Sequence, residues 1–244
     1  MISNTIITTL ARWRRKLRNL LGGSDLDVVI KPEISNDEFS RVIAEVAAKG
    51  DVRTAIEIGS SNGAGSTRAL VEGLSGKPDA LLVCLELSKP RFEELRNRYS
   101  HLDWVHCLNE PSVPVKEYPT QEEVSTFVAA HASETRYENP LSEILRWRRQ
   151  DVDYVEKHYA GRNGIRKAYE VAGVETFDLV LIDGSEFTGS AEWRALDGAR
   201  YVLLDDVVTF KNNANRAQLL ADERYELIDE DLTCRNGYSV FKLR

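Results

Sequence analysis

Two stretches of this 244-residue chain carry residue types whose spacing suits the binding of a ligand. The first is Glu57-Ile58-Gly59-Ser60-Ser61-Asn62-Gly63-Ala64-Gly65, between an apolar run and a helical pattern. Glycines 59, 63 and 65 let the backbone turn sharply and approach a ligand closely, and the helix that follows offers free N–H groups to an anion. The second is Glu86, about twenty residues further on and at the end of the next apolar run, where a carboxylate can accept both hydroxyls of a ribose. The pair predicts a nucleoside-containing cofactor held by Glu57, Gly59, Ser60, Ser61, Asn62, Gly63, Gly65 and Glu86. NAD and S-adenosylmethionine are the candidates. The loop lacks the G-x-G-x-x-G spacing of NAD sites and begins with an acid inside the strand, and a C-terminal hairpin at the sheet edge favours S-adenosylmethionine.

A third constellation is acidic. Asp183 ends one apolar run, and Asp205 and Asp206 end the next. If the two runs are neighbouring strands, three carboxylates meet and repel, and Mg²⁺ or Mn²⁺ relieves that by taking oxygen ligands. Such a metal would hold two adjacent hydroxyls of an acceptor, lower the pKa of one and aim its oxygen at a methyl group. The bland alternative is that these aspartates only accept backbone N–H bonds at strand ends. Asp183 and Glu186 are the candidate catalytic carboxylates, although an extended segment would point Glu186 away from the site. His158 is a further candidate base.

The elements that must position these residues alternate. A helix capped by Asn36 carries Phe39, Val42, Ile43, Val46 and Ala47 on one face and is stopped by Gly50. Strands are expected at Thr54–Ile58, Ala80–Leu85, Trp104–Leu108, Phe177–Ile182 and Tyr201–Leu204, and helices at Ser66–Leu74 and from Ser88 to Tyr99. Nearly continuous apolar strands are those of a parallel sheet covered on both faces, so the fold class is doubly wound, Rossmann-like α/β with a helical insertion at 109–176. The capping box at Thr120–Glu123 and the pair Asn139-Pro140 start helices within it. The insertion reads as a lid or an oligomer arm. Tyr225–Ile228 and Tyr238–Leu243 form the terminal hairpin, the second alternating like an antiparallel strand.

Composition narrows the function classes. The net charge of −7 with 42% hydrophobic residues is that of a globular protein and argues against a nucleic-acid partner. The charge is uneven: the first 23 residues carry +5, which leaves −12 for the rest. Residues 1–23 read as a basic amphipathic helix, either a weak peripheral membrane contact or a packing and dimerisation helix, the latter with a homo-oligomer as the expected state. Three cysteines, each in an apolar run, read as reduced structural thiols, and the absence of a signal-peptide pattern or long apolar window predicts a cytoplasmic chain, peripheral to the inner membrane face if the helix binds lipid.

From residue 35 to residue 244 the chain resembles the class I S-adenosylmethionine-dependent methyltransferases. The resemblance rests on Glu57-x-Gly59 with Gly63 and Gly65, on Glu86, on Phe177-Asp178-Leu179-Val180-Leu181-Ile182-Asp183-Gly184 and on Leu203-Leu204-Asp205-Asp206. The last two motifs are most similar to small bacterial enzymes that O-methylate sugars or sugar-bearing natural products. It implies that Gly59–Gly65 holds the methionine end of the cofactor, Glu86 its ribose and Asn109 its adenine, that Asp183, Asp205 and Asp206 bind the metal, and that the substrate is a small molecule or glycan. Those families often have an acid two residues after the first metal aspartate, and this chain has Ser185 there. The departure keeps open a noncatalytic S-adenosylmethionine-binding protein, with an NAD-dependent sugar enzyme as a third reading.

Overall fold

The computed structural model describes residues 25–131 and 139–244. The basic helix expected over 1–23 lies outside the described residues. Eight α-helices are described: α1 (Glu38–Ala48), α2 (Ser66–Leu74), α3 (Lys89–Tyr99), α4 (Gln121–Ala130), α5 (Leu141–Tyr159), α6 (Gly164–Ala172), α7 (Gly189–Leu196) and α8 (Asn213–Ala221). The strands are β1 (Thr54–Ile58), β2 (Leu81–Leu85), β3 (Val105–Leu108), β4 (Leu179–Ile182), β5 (Tyr201–Asp205), β6 (Tyr225–Asp231) and β7 (Tyr238–Leu243). They form one sheet in the order β3-β2-β1-β4-β5-β7-β6. Strands β1 to β5 run parallel, while β7 is antiparallel to both β5 and β6. The fold is the mostly parallel, Rossmann-like α/β sheet that the apolar runs predict.

Alternate residues of the central strands feed two cores. Ile56, Val83, Val180 and Val202 face one layer, and Ala55, Leu82, Leu179 and Leu181 face the other, all fully buried. Each such Val, Leu or Ile contributes about 1.5–3 kcal/mol by leaving water. Helices α1 and α2 cover the second face. The segment between β3 and β4 contributes to the first, through Val124, Ile144, Tyr154, Val155, Tyr159, Ile165 and Ala168. The inserted helices are therefore part of the sheet's covering layer.

Local chemistry moves several boundaries. Helix α1 is capped by Asp37, whose Oδ1 accepts from the Ser40 N–H at 2.8 Å while Ser40 Oγ accepts from the Asp37 N–H; Asn36 instead sits at φ +55 before the cap. Strand β4 starts at Leu179; just before it the Asp178 N–H donates to Thr54 Oγ1, and its carboxylate accepts the N–H groups of Arg53 and Thr54 at 2.8 and 3.0 Å. Pro140, not Asn139, is the residue flanking α5, and it makes no side-chain cap. Ser88 and the Thr120–Glu123 box cap α3 and α4 as expected. Among the described residues no helix is long and apolar enough to cross a membrane.

Candidate active site

A cavity of about 310 Å³ opens at the carboxyl ends of β1, β2 and β4, where ligands collect in open α/β sheets. One wall is the turn after β1. The N–H groups of Gly59 and Ser60 both donate to the Leu85 carbonyl at 3.0 Å, which ties this turn to the end of β2. Gly59 has φ +87, and a Cβ there would lie 2.1 Å from the Asp183 carbonyl, so only glycine lets β1 pass this close to β4's end. A second wall comes from residues 26–34, anchored where Ser88 Oγ donates to the Leu26 carbonyl at 2.5 Å and Arg91 Nε donates to the Val28 carbonyl at 2.8 Å.

Of the residues expected to hold a cofactor, Gly59, Ser60, Ser61, Gly65 and Glu86 line the cavity. The buried hydroxyl of Ser61 makes no hydrogen bond among the described residues, and that of Ser60 faces Glu57 and Cys84. Glu86 is held rigidly: its Oε2 accepts from the Ser61 N–H and its Oε1 from the Ser88 N–H, both at 2.7 Å. Burial raises its pKa, opposed by the charge of Arg91 and these two N–H groups.

Four expected residues lie off the cavity wall. Glu57 is fully buried beneath the turn, where Thr67 Oγ donates to its Oε2 at 2.6 Å and burial raises its pKa; its contribution is to support the loop. Asn62 bonds Glu94 and the Ala64 N–H, and Gly63 packs against Leu95 and Tyr99, whose hydroxyl donates to its carbonyl. Asn109 is consumed by the fold. Its Nδ2 donates to the carbonyls of Glu86 and Leu87, and Tyr159 on α5 donates to its Oδ1, so its neighbours Glu110, Pro111 and Ser112 reach the cavity in its place.

The three aspartates do converge, with one carboxylate oxygen from each lying within 4.8 Å of the others. A residue that the sequence reading missed sits among them. Lys211, 6% exposed, places its Nζ 2.8 Å from Asp183 Oδ1 and 2.6 Å from Asp206 Oδ2. Arg235, from the turn between β6 and β7, donates to Asp205 Oδ1 at 2.6 Å, and Asn236 Nδ2 donates to Asp206 Oδ1 at 3.1 Å. Asn212 locks the frame, donating to the carbonyls of Ile182 and Asp205 and so fixing the ends of β4 and β5.

Burial works to raise all three carboxylates, and their neighbours decide the outcome. Asp183 is pushed well up by burial, against the pull of Lys211 and reinforced by the other two acids. Asp205 is pushed up to about 6 by burial and by Asp206. Asp206 overcomes its burial and stays below the usual carboxylate range because Lys211 and Asn236 bond it. Lys211 resists burial through the same three charges and stays protonated.

The three carboxylates lie close enough together to share the expected ion, and Lys211 occupies the place between Asp183 and Asp206. The oxygens that would point at Mg²⁺ or Mn²⁺ point at an ammonium, and Asp205 is turned to a guanidinium outside the cavity wall. A dication beside a buried ammonium would be strongly repelled at this depth. The donor set does not fit a divalent cation while Lys211 is in place. The signal was available only in hindsight: Lys211 stands five residues past Asp206, on the loop that leads into α8, and no pattern aims it back.

The strand-end segment after Asp183 is also unlike the expectation. It turns rather than extends, with the Thr188 N–H donating to the Ser185 carbonyl, so both Ser185 and Glu186 line the cavity. Glu186 Oε2 accepts from Thr209 Oγ at 3.2 Å. Ser185 Oγ donates at 2.5 Å to Asp151 Oδ2, and Asp151 arrives from the middle of α5. Burial pushes Asp151 up to about 6, opposed by the Ser185 hydrogen bond and the charge of Arg91. His158, about two turns further along α5, is exposed, rests on Tyr154 and is absent from the cavity wall.

No family model and no curated protein matches the sequence. Solved structures match the fold. An O-methyltransferase from Bacillus cereus in complex with S-adenosylhomocysteine is 16% identical, with 87% of this chain and 84% of that one covered and a TM-score of 0.50. A methyltransferase from Geobacter sulfurreducens is 10% identical over 100% and 92% of the two chains, TM-score 0.51. The O-methyltransferase TomG from Streptomyces achromogenes, involved in tomaymycin synthesis and complexed with S-adenosylmethionine, is 14% identical over 93% and 85%, TM-score 0.50. The likeness is one of fold.

Proposed function

We propose that this chain is an S-adenosylmethionine-dependent O-methyltransferase acting on a hydroxyl of a small acceptor, a sugar or a glycosylated metabolite, without a divalent metal. The observation that carries the reading is Glu86. Its two oxygens are held by backbone N–H groups at the cavity wall, and each keeps a lone pair for one of two neighbouring hydroxyls, which suits a ribose. The buried hydroxyl of Ser61 beside it, without a partner among the described residues, suits the polar remainder of the same ligand. When bound, S-adenosylmethionine supplies a methyl group on a sulfonium, open to in-line displacement.

The protein's own work is then alignment and proton removal. Gly59–Ser61 and Gly65 would hold the amino-acid end, and Glu86 the ribose. Lys211, fixed by Asp183 and Asp206, presents a positive charge at the cavity wall that can steady an acceptor oxygen as it loses its proton. The carboxylates of Glu33, Glu110 and Glu186 on the same wall favour a neutral, hydroxyl-rich acceptor over an anionic one.

Titration calorimetry with S-adenosylmethionine and with NAD tests the cofactor, and release of S-adenosylhomocysteine with a panel of hexopyranosides and catechol tests the transfer. Binding of the first cofactor alone, with turnover of a panel member, is the expected result. Preference for NAD, or tight binding without turnover, would overturn the transferase reading.

A further inference from the structure

We propose that Asp151, delivered by α5 from the inserted helices, is the catalytic proton acceptor of this site and works through the hydroxyl of Ser185. The inference rests on the methyltransferase reading and assigns a role within it. Its starting point is the serine that stands where a strand-end acid was expected.

Four observations converge on this pair. Both residues line the same cavity wall as Glu86 and Lys211. Ser185 Oγ donates to Asp151 Oδ2 at 2.5 Å and accepts the Phe187 N–H at 3.2 Å, so its rotation is fixed and one lone pair is left for an incoming hydroxyl. The other buried carboxylates of the wall are already engaged: Asp183 and Asp206 by Lys211, and Glu86 by two backbone N–H groups. Glu110 pairs with Arg162 and Glu186 accepts from Thr209. Asp151, in contrast, has the Ser185 hydroxyl as its side-chain hydrogen-bond partner and, among the described residues, no salt bridge. A carboxylate that is not neutralised by an ion pair keeps its basicity.

The charged and titratable groups that face it come from three elements. They are Arg91 on α3, Tyr118 in the loop before α4, and the strand-end segment of Ser185. Burial holds Asp151 at about 6, which suits a base that must accept a proton near neutral pH.

The step balances as follows. The acceptor hydroxyl gives its proton to Ser185 Oγ while the serine's own proton moves to Asp151 Oδ2, leaving a neutral acid. The acceptor oxygen forms a bond to the methyl carbon as the carbon–sulfur bond breaks. The electron pair stays on sulfur, whose positive charge is lost, so the total charge is conserved.

Two variants test this, Asp151→Asn and Ser185→Ala, with far-ultraviolet circular dichroism to establish folding. Asp151→Asn is expected to bind S-adenosylmethionine with unchanged affinity and an acceptor with little change in KM. Its kcat should fall about 100-fold or more, with loss of the limb of the pH profile that rises through about 6. Ser185→Ala should lower kcat and retain that limb, because the carboxylate remains. A kcat within about 3-fold of the parent and an unaltered pH profile in Asp151→Asn would overturn the assignment and leave the methyltransferase reading intact. Failure of the parent protein to bind S-adenosylmethionine, or to methylate any acceptor of the panel, would overturn both. Should Asp151→Asn fail to fold, Asp151→Glu decides: retention of the rising limb with a displaced midpoint supports the assignment, and an unmoved limb refutes it.

Discussion

Lys211 holds its ammonium 2.6 Å from Asp206 Oδ2, and the aspartate stands in a left-handed conformation, φ +56, at the end of β5. That conformation costs a non-glycine residue on the order of 1–3 kcal/mol, so the contact must be strong enough to hold it. Lysine, aspartate and strand end form one structural unit, and its perturbation should show in both stability and ion binding.

Replacing Lys211 with Met leaves Asp183 and Asp206 facing each other uncompensated. Unfolding free energy by denaturant titration should fall by about 3–5 kcal/mol. Millimolar Mn²⁺ should raise the melting temperature of this variant, since the carboxylates would then have a vacancy to fill, and should leave that of the parent protein unchanged. Stabilisation of the parent by Mn²⁺ would mean that Lys211 swings aside for a metal.

Chelation supplies an independent check on the same charge. Excess EDTA is expected to alter neither S-adenosylmethionine affinity nor methyl transfer, because the positive charge at the acid cluster is covalently tethered. Activity lost to the chelator and regained with Mg²⁺ would contradict this.

For Glu86→Ala, calorimetry should register an affinity for S-adenosylmethionine lower by about 10- to 100-fold, the range for hydrogen bonds to a charged group. The variant also frees the Ser61 and Ser88 N–H groups. Glu86→Gln retains an acceptor oxygen and should recover part of the loss. Equal affinities across all three proteins would remove Glu86 from the ribose.

Asp151→Asn should be more stable than the parent at high pH. The folded pKa of Asp151 is raised to about 6, so the folded state holds its proton more tightly than the unfolded chain. Such a group contributes fully below the unfolded value near 4 and loses that contribution as pH rises through about 6. Denaturant melts at pH 4.5 and pH 8 should therefore show similar stabilities at the lower pH and an advantage for the variant, on the order of 2 kcal/mol, at the higher. A variant that loses stability at pH 8 would show that the charged carboxylate is a structural asset.

How far the sequence could be read follows the range of the interactions involved. The strands ending at Ile58, Leu85 and Ile182 were legible from local apolar runs, and with them the placement of Gly59, Glu86 and Asp183 at one end of a sheet. The convergence of Asp183 with Asp205 and Asp206 followed from strand adjacency alone. Lys211 and Asp151 were not legible, because each reaches the site by a route no local pattern encodes. The lysine's long stem folds back from a loop, and the aspartate sits on a helix 34 residues before its serine partner. Asn109 and Glu57 lie off the cavity wall for a related reason. A polar residue near a strand end is equally able to face a ligand or to satisfy buried backbone, and only packing against Tyr159 or Thr67 decides between them.

The terminal hairpin has a consequence for the order of assembly during synthesis. Arg235 and Asn236 lie 30 residues after the aspartates they bond, and β7 enters the sheet between β5 and the earlier-made β6. A ribosome therefore releases Asp205 well before the guanidinium that answers its charge, and the growing chain exposes the free edge of β5 until the last strand has emerged. Residues 25–231 of a nascent chain would carry the whole parallel core while leaving that edge unpaired. The hairpin is the step that both closes the sheet and completes the charge balance beside the cavity.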